Sequence, residues 1–183
     1  MKQPADWECV RSETLADLRL FRARFDWMKN PRNGIVQQMI VLDSPDAANV
    51  VALTTEQQLL FVQQYRFGTS KSLLELPGGL VNTDEPRDAA AQRELCEETG
   101  YTGGQWHYLG SIPSNPVFMT NYIHYYLAEG VSLTEPLQLD EGEDLVVVAF
   151  PIEEVFQSWR AGAFQHPHTV NALLLFFAHR GLI

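Results

Sequence analysis

The stretch GLVNTDEPRDAAAQRELCEETGY, residues 79–101, carries the pattern on which the fold turns. Thr83 or Asp84 is expected to cap a helix, with Pro86 in its first turn. Arg87 to Thr99 contains no breaker, and Gly100 follows as a residue able to take the left-handed stop conformation. On this helix Glu94 lies three and four residues from Glu97 and Glu98, with Arg93 as the only neighbouring cation. Like charges so placed repel by roughly 0.2–0.5 kcal/mol per pair. A cluster that breaks a local rule without visible compensation marks a site.

Outward from this helix the chain reads as strands. LLELPGGL brings Pro77, Gly78 and Gly79 into a bend that holds backbone close to something. Before it come the strand-like runs NVVALT (49–54) and QLLFVQQY (58–65). Further upstream, LRLFRARFDWMKN alternates from Leu18: Leu20 leads to Phe21, Ala23, Phe25 and Trp27 on one face, against Arg22, Arg24 and Asp26 on the other. The turn cluster NPRNG (30–34) and IVQQMIVL complete an antiparallel hairpin, and DSPD (43–46) is a connector. Downstream are WHYLGSI, the loop PSNPVFMT, NYIHYYLA, the acidic LDEGED (139–144) and LVVVAF. Terminal helices are expected from Pro151 to about Ala161 and from Pro167 to about Arg180, the second mostly buried. Strands, a helix, strands and then helices imply an α+β fold with a mixed sheet covered by helices.

The 183 residues, 45% hydrophobic and 20% charged, suit one globular domain with a small extra layer. Thirteen basic against 23 acidic side chains give a formal charge of −10, which argues against nucleic acid and anionic membrane surfaces as partners. An anionic substrate then needs local neutralisation, for which a divalent metal is the natural agent. Cys9 and Cys96 are too few for a disulfide framework and are not spaced as a metal knuckle, which fits a reducing cytoplasm. MKQPADWECV has no apolar leader core, and the run LLLFFA is too short to span a bilayer, so a mature, soluble chain is expected.

Gly79, Glu85, Arg93, Glu94, Leu95, Glu97, Glu98 and Gly100 stand in the order and spacing of the Nudix hydrolase signature, which the segment resembles; only Tyr101 departs, where an aliphatic residue is usual. Physical chemistry points the same way. Hard cations such as Mg²⁺ take oxygen ligands from a few carboxylates and from substrate phosphates. They also acidify water and neutralise a diphosphate. The resemblance implies an αβα sandwich over residues 46–183, preceded by an N-terminal β layer over 1–45 that helps form a homodimer. It implies Glu94, Glu97, Glu98 and the Gly78 carbonyl as ligands of Mg²⁺, with Mn²⁺ as a substitute. Glu85 would pair with Arg93 to orient the helix, with Gly79 and Gly100 as structural glycines of the motif.

Features outside the motif resemble the ADP-ribose pyrophosphatase branch. Pro116 stands about sixteen residues beyond the motif glycine, and Arg66 in QYR matches an arginine that lies near substrate phosphates there. Phe118 is a candidate for stacking on adenine, as are Trp27 and Tyr122. The branch's glutamate five residues beyond the proline is Asn121 here. Its general base lies on a late loop before a strand, where Glu141 and Glu143 are both candidates. The expected activity is hydrolysis of ADP-ribose or a related nucleoside diphosphate sugar to a nucleoside monophosphate and a sugar phosphate. Alternatives are a Nudix hydrolase of dinucleotides, nucleoside triphosphates or coenzyme A derivatives, and a nucleotide-sensing module without catalysis. His166 and His168 read as a helix cap or surface feature, His124 as a satisfied core or pocket histidine, and Cys96 as helix packing.

Overall fold

A computed structural model describes residues 3–183. They form two compact units: one joins the N-terminal segment through Pro45 to Pro113–Tyr122, and the other comprises Asp46–Ile112 and Ile123–Ile183.

The first unit is a three-stranded antiparallel sheet, β1 (Glu8–Asp17), β2 (Arg22–Lys29) and β3 (Val36–Asp43), in that order. The β2–β3 hairpin closes through Asn30 and Gly34, the latter at φ 72°, where a side chain would be strained. Two expectations change. The strand starts at Arg22 rather than Leu18, because Leu18–Phe21 forms a turn with Arg19 at φ 67°. The polar face of β2 is also partly buried: Asp26 is buried, accepting from Ser12 Oγ at 2.6 Å and from Arg24 Nε at 3.1 Å. Ser12 belongs to the neighbouring edge strand β1, which the sequence pattern does not single out, since ECVRSETLAD has no sustained alternation and is exposed along most of its length. Pro113–Tyr122 joins this unit because Leu42 donates to the Phe118 carbonyl and Thr120 donates back to Leu42.

The second unit contains β4 (Ala47–Thr54), β5 (Gln58–Arg66), β6 (Lys71–Glu75), β7 (Gly78–Leu80), α1 (Arg87–Thr99), β8 (Tyr101–Pro113), β9 (Tyr122–Leu133), β10 (Leu145–Pro151), α2 (Ile152–Arg160) and α3 (Pro167–His179). Its sheet runs β10-β5-β4-β9-β8, with β6 on β5 and β7 on β4. The β4–β9 pair is parallel and the pairs made by β5 are antiparallel, so the sheet is mixed.

Strand alternation builds a core on each face. Val51, Leu53, Leu59 and Phe61 meet Val155, Leu173, Phe176 and Phe177 of α2 and α3. Ala48, Val50, Ala52 and Leu60 meet Ala91 and Leu95 of α1. Two helices on one side and one on the other make the expected αβα sandwich. Leu95 is fully buried, so truncating it to alanine costs about 2–5 kcal/mol.

The start of α1 differs from the sequence expectation. Neither Thr83 nor Asp84 caps it; Pro86 occupies the cap position, with no side-chain cap bond, and Asp84 sits at φ 63° in the preceding turn. Glu85 closes that turn by accepting from the Asn82 backbone N–H at 2.9 Å. Gly100 ends the helix at φ 73°, where a Cβ would lie 2.2 Å from the Glu135 carbonyl oxygen.

Candidate active site

The site grows from the contact of α1 with the Gly78–Gly79 strand. Gly78 takes φ 152°, and a Cβ there would sit 2.1 Å from the Ala48 carbonyl oxygen, so only glycine lets this backbone lie against β4. A Cβ on Gly79 would meet the Glu94 carboxylate at 2.6 Å. Gly78 thus seats the strand on β4, and Gly79 leaves the space into which Glu94 projects.

Glu98 is buried, and its Oε2 accepts from the Gly78 N–H at 2.8 Å. Burial pushes its carboxyl up to about 8, against the opposing Gly78 hydrogen bond and with help from the charges of Glu94 and Glu143. Burial likewise raises Glu94, although Arg93 opposes the shift. Arg93 is the local hub. Its Nε and Nη2 donate to Glu85 at 2.8 and 3.0 Å, and its Nη1 donates to Glu94 and Glu97 at 2.7 and 2.9 Å. Its Nη2 also donates to the Leu80 carbonyl at 3.0 Å, tying α1 to β7. The arginine holds Glu85 down to about 2, and the hydrogen bond from Asn82 adds to this. One guanidinium therefore serves Glu85 and, across the site, Glu94 and Glu97, while Glu98 has none within ion-pair distance among the described residues.

This donor set fits a hard divalent cation: three carboxylates, two of them raised, share too little positive charge. Among the described residues no three acidic, histidine or cysteine donors already converge as a cage. Glu94 and Glu97 are turned instead to Arg93.

Opposite α1 stands Arg66, on the side of β5 that carries Leu60 and is covered by α1. The charges of Glu98 and Glu143 both act on it. Its Nε and Nη2 donate to the two carboxylate oxygens of Glu75, each at 2.8 Å. The late-loop glutamates separate: Glu141 is exposed, whereas Glu143 is half-buried, accepts from the Asp140 N–H at 3.0 Å, and contributes its charge at Glu94, Glu98 and Arg66. Pro116 and Phe118 fall in the first unit and Arg66 in the second.

His166 and His168 require correction. His166 does stand at the N-cap position of α3, without a side-chain cap bond, but it is no surface feature: its side chain is largely buried, with Nδ1 3.3 Å from Glu75 Oε2 and 3.1 Å from Thr169 Oγ1. His168 is packed against it, and burial, reinforced by His166, drives its pKa down to about 4. Glu75, which the sequence reading passed over, is 1% exposed. A carboxylate inside the apolar strand run SLLELP was the signal for it. His124 is a satisfied core histidine, with Nε2 2.8 Å from Asp46 Oδ2 and Nδ1 3.2 Å from the Tyr108 hydroxyl.

The NUDIX domain model matches residues 43–171. The chain belongs to the NUDIX family. It is 33% identical over 165 residues to the methanol dehydrogenase activator of Bacillus methanolicus, covering 90% of this chain and 89% of that one. It is 32% identical over 151 residues to the ADP-ribose pyrophosphatase of Bacillus subtilis, covering 77% and 82%. The solved structure of an ADP compounds hydrolase shares the fold, with a TM-score of 0.85 and 24% identity over the whole of both chains. No helix of the described residues is long and apolar enough to cross a membrane.

Proposed function

We propose that this NUDIX protein is a Mg²⁺-dependent hydrolase that cleaves the diphosphate of ADP-ribose or a related nucleoside diphosphate sugar, giving a nucleoside monophosphate and a sugar phosphate. The observation that carries this is the undercompensated carboxylate face of α1, Glu94, Glu97 and Glu98, set in the same field as Arg66. The likeness to the Bacillus subtilis pyrophosphatase favours the substrate class.

Glu94, Glu97, Glu98 and the Gly78 carbonyl would hold the cation. When bound, it supplies neutralisation of the diphosphate and acidification of water. Glu143 accepts the proton of the attacking water as its oxygen bonds to phosphorus. The P–O bond to the bridging oxygen breaks, and that oxygen leaves on the second phosphate monoester. Arg66 binds the diphosphate, and Glu85 holds Arg93 so that α1 keeps its orientation on β7.

Val10, Leu15, Val36 and Ile40 of the three-stranded sheet are exposed, which supports a homodimer built on this unit. Sedimentation as a monomer at micromolar concentration would remove that assignment. The unpaired Cys9 and Cys96 support a cytoplasmic setting.

The likeness to a dehydrogenase activator favours a second reading, in which the same chemistry acts on a dinucleotide of the kind dehydrogenases use. A panel of ADP-ribose, sugar nucleotides, dinucleotides and triphosphates with Mg²⁺ separates the cases by the phosphate monoester released. Sugar nucleotides should turn over fastest. Preference for dinucleotides would establish the second reading, and binding without turnover would leave a nucleotide-sensing module.

A further inference from the structure

We propose that Glu75 is a positioning residue for substrate binding, acting through Arg66, and that the first turn of α3 fixes Glu75 from behind; this rests on the function proposed above. The pair is asymmetric in exposure: the Arg66 side chain is 41% exposed and that of Glu75 is 1% exposed. Glu75 stands opposite Val62 and Arg66 opposite Lys71 in the β5–β6 ladder, so the arginine reaches back along its own strand to the carboxylate. Two parallel hydrogen bonds of 2.8 Å then hold the guanidinium in one plane. They take Nε–H and one Nη2–H of its five donors, leaving the Nη1 edge for an anion.

The carboxylate is itself immobilised. His166 Nδ1 lies 3.3 Å from Oε2, and Thr169 Oγ1 both meets His166 at 3.1 Å and accepts from the Leu76 N–H at 3.2 Å. Strand end, Glu75 and helix start are thereby locked together. Stability alone does not call for this arrangement, because apolar residues of similar volume commonly serve as well as a buried ion pair. A guanidinium held rigidly within the field of Glu98 and Glu143 does serve a reaction that needs a diphosphate in one orientation.

The test is a double-mutant cycle on kcat/KM with the best substrate of the panel, using wild type, Glu75→Gln, Arg66→Ala and the double variant. Glu75→Gln should lower kcat/KM about tenfold to hundredfold, mainly through KM, and leave Mn²⁺ affinity within about threefold of wild type. Added to Arg66→Ala, it should change kcat/KM less than twofold. Should an Arg66→Ala protein fail to fold, Arg66→Lys replaces it: Glu75→Gln should then cost less than it does beside arginine. Replacement of His166 by Asn, which keeps a polar group near the Nδ1 position, should retain more activity than replacement by Ala. The same loss from Glu75→Gln in every Arg66 background would overturn the proposal and leave the hydrolase assignment standing. A wild type that turns over no panel member overturns both.

Discussion

Two clusters of carboxylates and arginine in this chain have similar compositions and opposite electrostatics. In the three-stranded sheet, Arg24 bonds both Asp26 and Asp43, Ser12 adds a donor to Asp26, and Arg22 reaches Asp43 at 3.4 Å. Both aspartates are held below the usual carboxylate range, chiefly by Arg24. On α1, Arg93 is spread over three carboxylates and does not reach the fourth; Glu94 and Glu98 are pushed up, chiefly by burial. The first cluster is closed by its own protein partners and holds a sheet together. The second is left short of positive charge, which is what a cation site looks like before its cation is counted.

The widest separation between the clusters should appear in catalysis. Glu98→Gln should lower kcat/KM by about a thousandfold or more, as the loss of a ligand charge costs several kcal/mol in the transition state. Full activity in that variant would place the site elsewhere. Asp26→Asn should instead be read in stability, lowering the unfolding free energy by about 1–3 kcal/mol in denaturant titrations as Arg24 loses a charged partner.

The pH dependence of stability should have opposite signs. Metal-free, the native state keeps a proton on Glu98 that the unfolded chain loses near its ordinary value of 4.5, so Glu98 costs stability progressively as pH rises from there to about 8. Glu98→Gln should flatten that slope in thermal melts. Asp26 and Asp43 contribute stability above their unfolded values and lose it as pH falls through their lowered ones, so Asp26→Asn should weaken the acid-side loss. The smallest effect is expected of Gly79→Ala. Its methyl would displace only the flexible end of Glu94, leaving the fold within about 1 kcal/mol while weakening Mn²⁺ about tenfold.

These contrasts also mark what a linear reading contains. The α1 cluster was legible because its residues lie within one helix and one adjoining turn, where spacing alone sets neighbours. Gly100 and the two terminal helices were legible for the same local reason. The cap was not, because Pro86, with φ at −62°, takes the cap position without a side-chain cap bond, and Glu85 is tied to Asn82 and Arg93 instead. Neither β1 nor the attachment of Pro113–Tyr122 was legible, since both depend on backbone pairing with β2 and β3 rather than on side-chain periodicity. The tie from Glu75 to His166 joins β6 to α3, the last helix of the chain, and local patterning carries no record of such a partner.

The account rests on the α1 carboxylates being an unfinished cation site, and calorimetric titration of the metal-free protein with Mn²⁺ at pH 7, in two buffers of different ionisation enthalpy, tests that most directly. Because Glu98 titrates at about 8, binding should release close to one proton, and the affinity should rise about tenfold per pH unit up to that value. The Glu98→Gln protein should bind far more weakly and release fewer protons than wild type. Absence of binding at millimolar Mn²⁺, or an unchanged proton count in Glu98→Gln, would contradict it.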